Sequence, residues 1–146
     1  MDPIQIKSFQ ELSLEELYSL LKLRIDIFVV EQNCPYPELD NEDQNSIHFF
    51  YKEAREIIAY LRVIPKKAGN IRIGRVVTDK GYRGKKLSSQ LMEEAMKYIS
   101  ENHPSKTITL SAQEHLQHFY AQFGFKSVSE MYLEDGIPHV DMEFEE

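Results

Sequence analysis

Apolar positions along this chain change period at recognisable points, and those changes outline its elements. Ile4–Phe9 alternates weakly between apolar and polar residues and predicts a first strand. Ser13, followed three residues later by Glu16, forms a capping box. Leu14, Leu17, Leu21, Ile25 and Phe28 then fall on one face of a helix. Val29 to Asn45, with Pro35 and Pro37, reads as an irregular or short-helical connection of a length that often carries function. Ile47–Lys52 and Ile57–Ile64 predict a hairpin, with Ile71–Thr78 as a third adjacent strand. Leu87, Leu91, Ala95, Tyr98 and Ile99 mark the buried face of a long helix that ends before His103-Pro104. Thr107–Ser111 predicts a short strand and Glu114–Phe123 a helix. Phe125–Leu133 and His139–Phe144 predict two last strands joined through Asp135-Gly136. The order β-α-β-β-β-α-β-α-β-β predicts an α/β fold, a mixed, mostly antiparallel central sheet of about seven strands with helices on both faces.

At 146 residues the chain reads as one domain, 1–146, large enough to bury about 70% of its unfolded surface without disulfides or metals. No repeat, low-complexity segment or linker interrupts it. No apolar run approaches the roughly 20 residues that span a bilayer, and Met-Asp-Pro-Ile-Gln-Ile-Lys lacks the features of a signal peptide. Cys34 is the single cysteine, so an intrachain disulfide is excluded, and the expected location is the cytoplasm, away from membranes. A formal net charge of −7 argues against a general nucleic-acid binder. The oligomeric state is left open, a homo-oligomer included.

The charge is unevenly placed. Asp26, Glu31, Glu38, Asp40, Glu42 and Asp43 lie between Ile25 and Tyr51 with no Lys or Arg among them, whereas Arg83, Lys85 and Lys86 sit within four residues. The basic residues belong to Arg75–Met92, where a β-branched run gives way to a turn with two glycines and then a helical pattern. A helix start presents backbone N–H groups that lack internal partners and carry partial positive charge, which suits a diphosphate. The spacing fits neither a P-loop nor a dinucleotide fingerprint.

Arg83-Gly84-Lys85-Lys86-Leu87-Ser88 resembles the Q/R-x-x-G-x-G/A segment with which GNAT-type N-acetyltransferases bind acyl-CoA, with Lys86 and Ser88 standing at the two glycine positions. Phe119-Tyr120-Ala121-Gln122-Phe123-Gly124-Phe125 resembles the F-Y-x-x-x-G-F motif of the same superfamily. Arg24, Phe28, Glu31-Gln32, Cys34-Pro35-Tyr36, Asp40, Asp43 and Glu134-Asp135-Gly136-Ile137-Pro138-His139-Val140 are similar to the ElaA-like branch, in which a Lys at position 86 is common. Together these segments span nearly the whole chain.

The resemblance implies acetyl-CoA as co-substrate and an amine as acceptor, small or peptidic. It places the cofactor along Val76, Val77 and Thr78, at Arg83, Gly84, Lys85, Lys86, Leu87, Ser88 and Ser89, and near Gln113 and Tyr120. It also implies a backbone N–H near Val77 on the oxyanion and Tyr120 as general acid toward the departing thiolate. A phenol near pKa 10 is protonated at neutral pH and can donate. For the base, Glu31, His48 and His139 are candidates, with Glu31 preferred slightly and water relay as the competing account. Glu31, Asp40 and Asp43 are the expected contacts of a cationic acceptor, steered by an acidic stretch without a compensating cation.

No metal is expected, because Asp40-x-Glu42 lacks the glycine and the final carboxylate of a calcium loop. Cys34 has no local activating signature for a nucleophile. Two alternatives stand beside the transferase, a non-catalytic acyl-CoA-binding or interaction module and an acyl-homoserine-lactone-synthase-like acyltransferase. The latter family's characteristic Trp is absent.

Overall fold

Ile57 to Ile64 is apolar at both phases of the strand period apart from Arg62, a pattern that requires cover on both faces of a sheet. In the computed structural model, which describes residues 3–66 and 68–145, that strand is buried along this whole stretch and runs through the centre of the sheet. The elements are β1 (Gln5–Ser8), α1 (Leu14–Arg24), β2 (Ile47–Glu53), β3 (Glu56–Pro65), β4 (Asn70–Thr78), α2 (Leu87–Asn102), β5 (Thr107–Gln113), α3 (Gln117–Ala121), β6 (Phe125–Ser127), β7 (Tyr132–Glu134) and β8 (Ile137–Phe144). The described strands form one eight-stranded sheet in the order β1-β2-β3-β4-β5-β8-β6, with β7 also on β8. Only β4 and β5 run parallel, so the sheet is mixed and mostly antiparallel, as the pattern predicts.

Two apolar layers hold it. On one face α2 packs Leu87, Leu91, Met92, Ala95 and Ile99 against Phe49, Leu61, Val63, Ile71 and Ile73. On the other, Leu20, Leu23 and Ile27 meet Phe50, Ile57, Tyr60 and Val77. Among the described residues no helix is long and apolar enough to cross a membrane.

The structure departs from the sequence pattern at three elements. The predicted strand Phe125–Leu133 is two, β6 and β7, because Val128 N–H bonds to Asp141 O (2.8 Å) and Ser129 Oγ accepts from Asp141 N–H (2.9 Å), a local detour against β8. Glu114–Phe123 is a 3-10 turn followed by the short α3. The first helix is the most informative case. Leu14 is 87% exposed, and the buried positions are Glu16, Leu20, Leu23, Arg24 and Ile27. From Ile25 to Glu31 the chain winds as a π-helix, with Gln32 N–H bonding five residues back to Ile27 O (3.1 Å). The buried positions keep ordinary helical spacing but run one residue out of step with the predicted face, because Glu16 and Arg24, polar residues that an apolar wheel leaves out, take inward places.

Glu16 anchors the start of α1. It caps the Ser13 backbone N–H (2.9 Å) and meets Lys7 and Lys52, each at 3.0 Å, with its side chain almost fully buried. Burial alone would raise its pKa, but the Ser13 N–H and the two ammonium groups outweigh that and bring it down to about 2 from 4.5. A carboxylate whose pKa is depressed in the folded state adds stability above its unfolded pKa and loses it as the pH falls. Between pH 5 and 2 the wild type is therefore expected to lose about 3 kcal/mol more stability than Glu16→Gln, measured by urea unfolding. Parallel curves for the two proteins would show that the site carries no such linkage.

Candidate active site

Parallel pairing of β4 with β5 covers only Asn70, Ile71 and Arg72 against Thr107, Ile108 and Thr109. Beyond Arg72 the two strands part, and the edge of β4 that faces β5 has no strand partner. The cause is local. Tyr60 opposes Val77 while Arg62 opposes Gly74, so β4 carries a bulge at Arg75-Val76, with Arg75 at φ 53°. On the β3 side, Asp79 N–H bonds Ile58 O at 2.7 Å. Alternation along an antiparallel ladder then turns Val77 toward β3 and leaves the N–H groups of Val76 and Thr78 facing the gap. The expected donor near Val77 is thus displaced by one residue to either side.

The start of α2 lies against the end of β4, joined by Thr78 Oγ1 and Ser88 Oγ at 2.7 Å. Lys86 occupies the N-cap in the left-handed region (φ 60°, ψ 27°) and offers no side-chain cap. Glycine would take this conformation without strain, which accounts for a glycine preference there; Lys accepts a cost of about 1 kcal/mol. Gln90 N–H is the first to close a helical bond, to Lys86 O (3.1 Å), so the N–H groups of Leu87, Ser88 and Ser89 remain open. Gly84 sits at φ +83° with open space about it. Arg83, Lys85 and Lys86 are exposed around this turn, Lys85 lying over the Tyr82 ring at 5.1 Å.

A cavity of about 420 Å³ opens beside the gap. Its walls include Phe28, Gln32, Val76, Gln113, Tyr120 and His139 at the gap, and Asp40, Arg62, Arg72 and Gly74 further along. Tyr120 is 7% exposed, and among the described residues its hydroxyl has no hydrogen-bond partner. Burial pushes its pKa up, so it stays protonated. Gln113 Nε2 donates to Gln32 Oε1 (3.2 Å), linking β5 to the end of the π-helix.

The acidic loop is not the free negative surface that its local sequence suggests. Arg24, fully buried, donates through Nε to Glu38 (2.6 Å) and through an η-nitrogen to Asp43 (2.7 Å). Arg62 bonds Asp40 (2.5 Å) and Asp43 (2.8 Å), and Arg75 bonds Glu38 (2.7 Å) and Asp40 (3.3 Å). Three arginines, all outside the acidic run, thus neutralise Glu38, Asp40 and Asp43. Asp43 is buried and has no face for a substrate, which removes it as an acceptor contact. Asp40 reaches the cavity already paired; burial would raise its pKa, and Arg62 outweighs this and holds it at about 2. Tyr36 donates to Glu38 and lies under the Arg75 guanidinium at 5.7 Å, closing the network over the bulge.

The three candidate bases separate clearly. His48 is fully buried, its Nε2–H donating to Asp43 O (3.0 Å) and its Nδ1 accepting from Tyr60 Oη (2.6 Å). With both nitrogens engaged and burial lowering its pKa, it serves the core and not the reaction. Glu31 is paired with Arg83 at 2.8 Å, fastening the π-helix to the basic turn, and does not line the cavity. His139 does line it. Its Nδ1–H donates to Ile137 O (2.7 Å), and its Nε2 lies 3.4 Å from Glu134 Oε2, a carboxylate that pairs with the ring once Nε2 takes up a proton. Among the described residues no group of three His, Cys, Asp or Glu is placed to hold a metal ion. Cys34 is buried, its thiol bonded to Asp135 O at 3.3 Å.

Sequence reasoning missed Arg62, Arg72, Gly74 and Arg75, although polar residues alternating through an apolar strand, Arg72-Ile73-Gly74, are a visible sign of a face that meets something other than core.

Comparison with known proteins agrees with this geometry. A model of the acetyltransferase (GNAT) domain matches residues 24–146. A UPF0039 protein of Schizosaccharomyces pombe is 44% identical over 144 residues, 95% of this chain and 94% of that one. Escherichia coli ElaA, in its crystal structure, superposes with a TM-score of 0.93 at 41% identity, over 99% of this chain and 100% of that one. An acyl-CoA N-acyltransferase from Pseudomonas aeruginosa gives 0.92 at 41% identity, over 98% and 99%. Two more distant structures share the fold alone. They are a GNAT family acetyltransferase from Elizabethkingia anophelis with acetyl-CoA bound (15% identity over 99% of each chain, TM-score 0.66) and the CoA-dependent acyl-homoserine lactone synthase BjaI (16% over 97% of this chain and 83% of that one, 0.78). With a parted β4–β5 pair, an uncapped α2 and relatives above 40% identity along nearly its full length, the chain belongs to the GNAT acetyltransferase family, in the branch that contains ElaA.

Proposed function

We propose that the protein, acting as one domain over residues 1–146, is an acetyl-CoA-dependent N-acetyltransferase that acetylates a primary amine of a small or peptidic acceptor. The observation that carries this is the pairing of two sets of open backbone donors. One is the start of α2, joined to the end of β4 through Ser88 and Thr78. The other is the free edge of β4, whose Val76 lines a cavity with Tyr120, a residue whose hydroxyl has no partner among the described residues. The first set suits the diphosphate, with Arg83, Lys85 and Lys86 adding charge around it. The second set, from Val76 and Thr78, lies where a pantetheine arm and a thioester oxygen would run. The cofactor named with the Elizabethkingia anophelis structure supports the choice of acetyl-CoA.

The chemistry follows from the groups present. The amine nitrogen attacks the thioester carbon, and the carbonyl electrons move to oxygen, where a β4 N–H stabilises them. Collapse breaks the C–S bond as the Tyr120 phenol donates its proton to sulfur. The nitrogen's surplus proton passes to Nε2 of His139 and on to solvent, and the Tyr120 phenolate takes a proton back from solvent, which leaves both groups as they began. The products are the amide and free CoA.

Ser88→Glu tests the cofactor site. A carboxylate at the first turn of α2 places a negative charge against the diphosphate, and acetyl-CoA affinity is expected to fall at least tenfold by calorimetry, which is about 1.4 kcal/mol. Wild-type affinity in a folded variant would remove the cofactor from this position.

A further inference from the structure

At the far end of the cavity, five of the charged groups are already matched. Asp40 is held by Arg62 and Arg75, and Glu42 by Lys66. Arg72 is different. It lines the cavity half-buried, and among the described residues its guanidinium makes no ion pair or side-chain hydrogen bond. Further along the same cavity, at the β7–β8 hairpin level with Gln113 on β5 whereas Arg72 is level with Thr109, lie Glu134, 3.4 Å from the His139 ring, and the exposed Asp135. The cavity thus carries positive charge on its strand floor and negative charge beside the base.

Gly74 is the second observation. It follows Arg72 by two residues on β4, before the bulge, and so shares its face. Its φ lies outside the left-handed region, and a Cβ built on it meets nothing within 4 Å. Neither a turn nor close packing requires glycine here. What its lack of a side chain provides is room on the cavity floor, next to an unmatched guanidinium.

We propose that the acceptor is a small amine that also carries a carboxylate, seated over Gly74 with the carboxylate on the Arg72 guanidinium and the amine toward Nε2 of His139. The planar fork of Arg matches a carboxylate through two parallel N–H donors. Glu134 and Asp135 favour the ammonium form of the amine as it arrives at the base. A cavity of about 420 Å³, shared with the thioester, suits a compound of amino-acid size. This inference rests on the acetyl-transfer reading and reverses the expectation of a purely cationic acceptor, because the acidic loop is spent on arginines of the fold.

The experiment is a matched panel with acetyl-CoA and thiol release as readout. It sets α- and ω-amino acids of two to six carbons against their primary amides and against diamines of the same length. The best acid is expected to exceed its amide in kcat/KM at least tenfold, the range of a hydrogen-bonded charge pair. Arg72→Gln should collapse that ratio to within about threefold, chiefly through KM, while acetyl-CoA affinity by calorimetry stays within about twofold. Gly74→Val, a β-branched residue that a strand accepts, should lower kcat/KM for the acid at least tenfold with an unchanged melting temperature and acetyl-CoA affinity. The inference is overturned if amides or diamines are preferred, if a protein that binds acetyl-CoA acetylates no acid in the panel, or if Arg72→Gln leaves the ratio intact. Failure to bind acetyl-CoA at all would instead count against the acetyl-transfer reading, and the calorimetry separates the two.

Discussion

Arg24→Ala is expected to destabilise the protein by about 3 kcal/mol, the largest effect anticipated for a single substitution away from the cavity. The guanidinium is completely buried at the end of α1 and reaches two carboxylates and a backbone carbonyl, Glu38 O at 3.2 Å. Truncation leaves Glu38 and Asp43 in the interior with one arginine each, Arg75 and Arg62. These second partners keep the cost at the lower end of the range for a broken buried pair. The same loss would free the Pro37–Asp43 segment that clamps Arg75, so acetyl-CoA affinity is expected to fall with it, through the bulge that exposes the β4 edge. Arg24→Lys should recover only part of the stability, because an ammonium group cannot span two carboxylates with a planar fork. Urea unfolding measures the first effect. A loss below about 1 kcal/mol for Arg24→Ala would mean that the six-membered network contributes little to holding the loop.

Tyr120→Phe is expected to lower turnover by about tenfold to a thousandfold while acetyl-CoA affinity and melting temperature stay near wild type. The ring packs edge-on against Phe119 at 5.0 Å, a contact that phenylalanine keeps. Only the hydroxyl is lost, and it has no partner among the described residues, so its removal orphans nothing. The effect should appear in kcat and kcat/KM alike, the pattern of an interaction made in the transition state. Wild-type turnover in a folded variant would assign the sulfur proton to water.

The elements that the apolar pattern located well are those where one rule governs the position. The capping box at Ser13 and Glu16, the buried stripe of α2 and the doubly buried β3 all lie where predicted, because local hydrogen bonding or burial on a fixed period decides each. The turn at Arg83 and Gly84 that leads into α2, and the last helix at Tyr120 closed by Gly124, were legible because resemblance carried them. The π-helix after α1 was not legible, since an i to i+5 turn follows no sequence period, nor was the inward face of α1, where buried Glu16 and Arg24 take places that an apolar wheel gives to their neighbours.

Tertiary structure decided the charges. By sequence alone, residues 25–51 form an acidic stretch without a cation, and His48 stands as a candidate base. Folding brings in Arg24 from α1, Arg62 from β3 and Arg75 from β4, from positions up to 37 residues away, and turns the stretch into a neutral clamp. It also closes both nitrogens of His48 and sets those of His139 against the Ile137 carbonyl and the Glu134 carboxylate at the cavity wall. Apolar burial is additive and periodic, so a linear pattern records it. The role of a charged or titratable group depends on what lies within about 4 Å in space, and only the folded chain sets that distance.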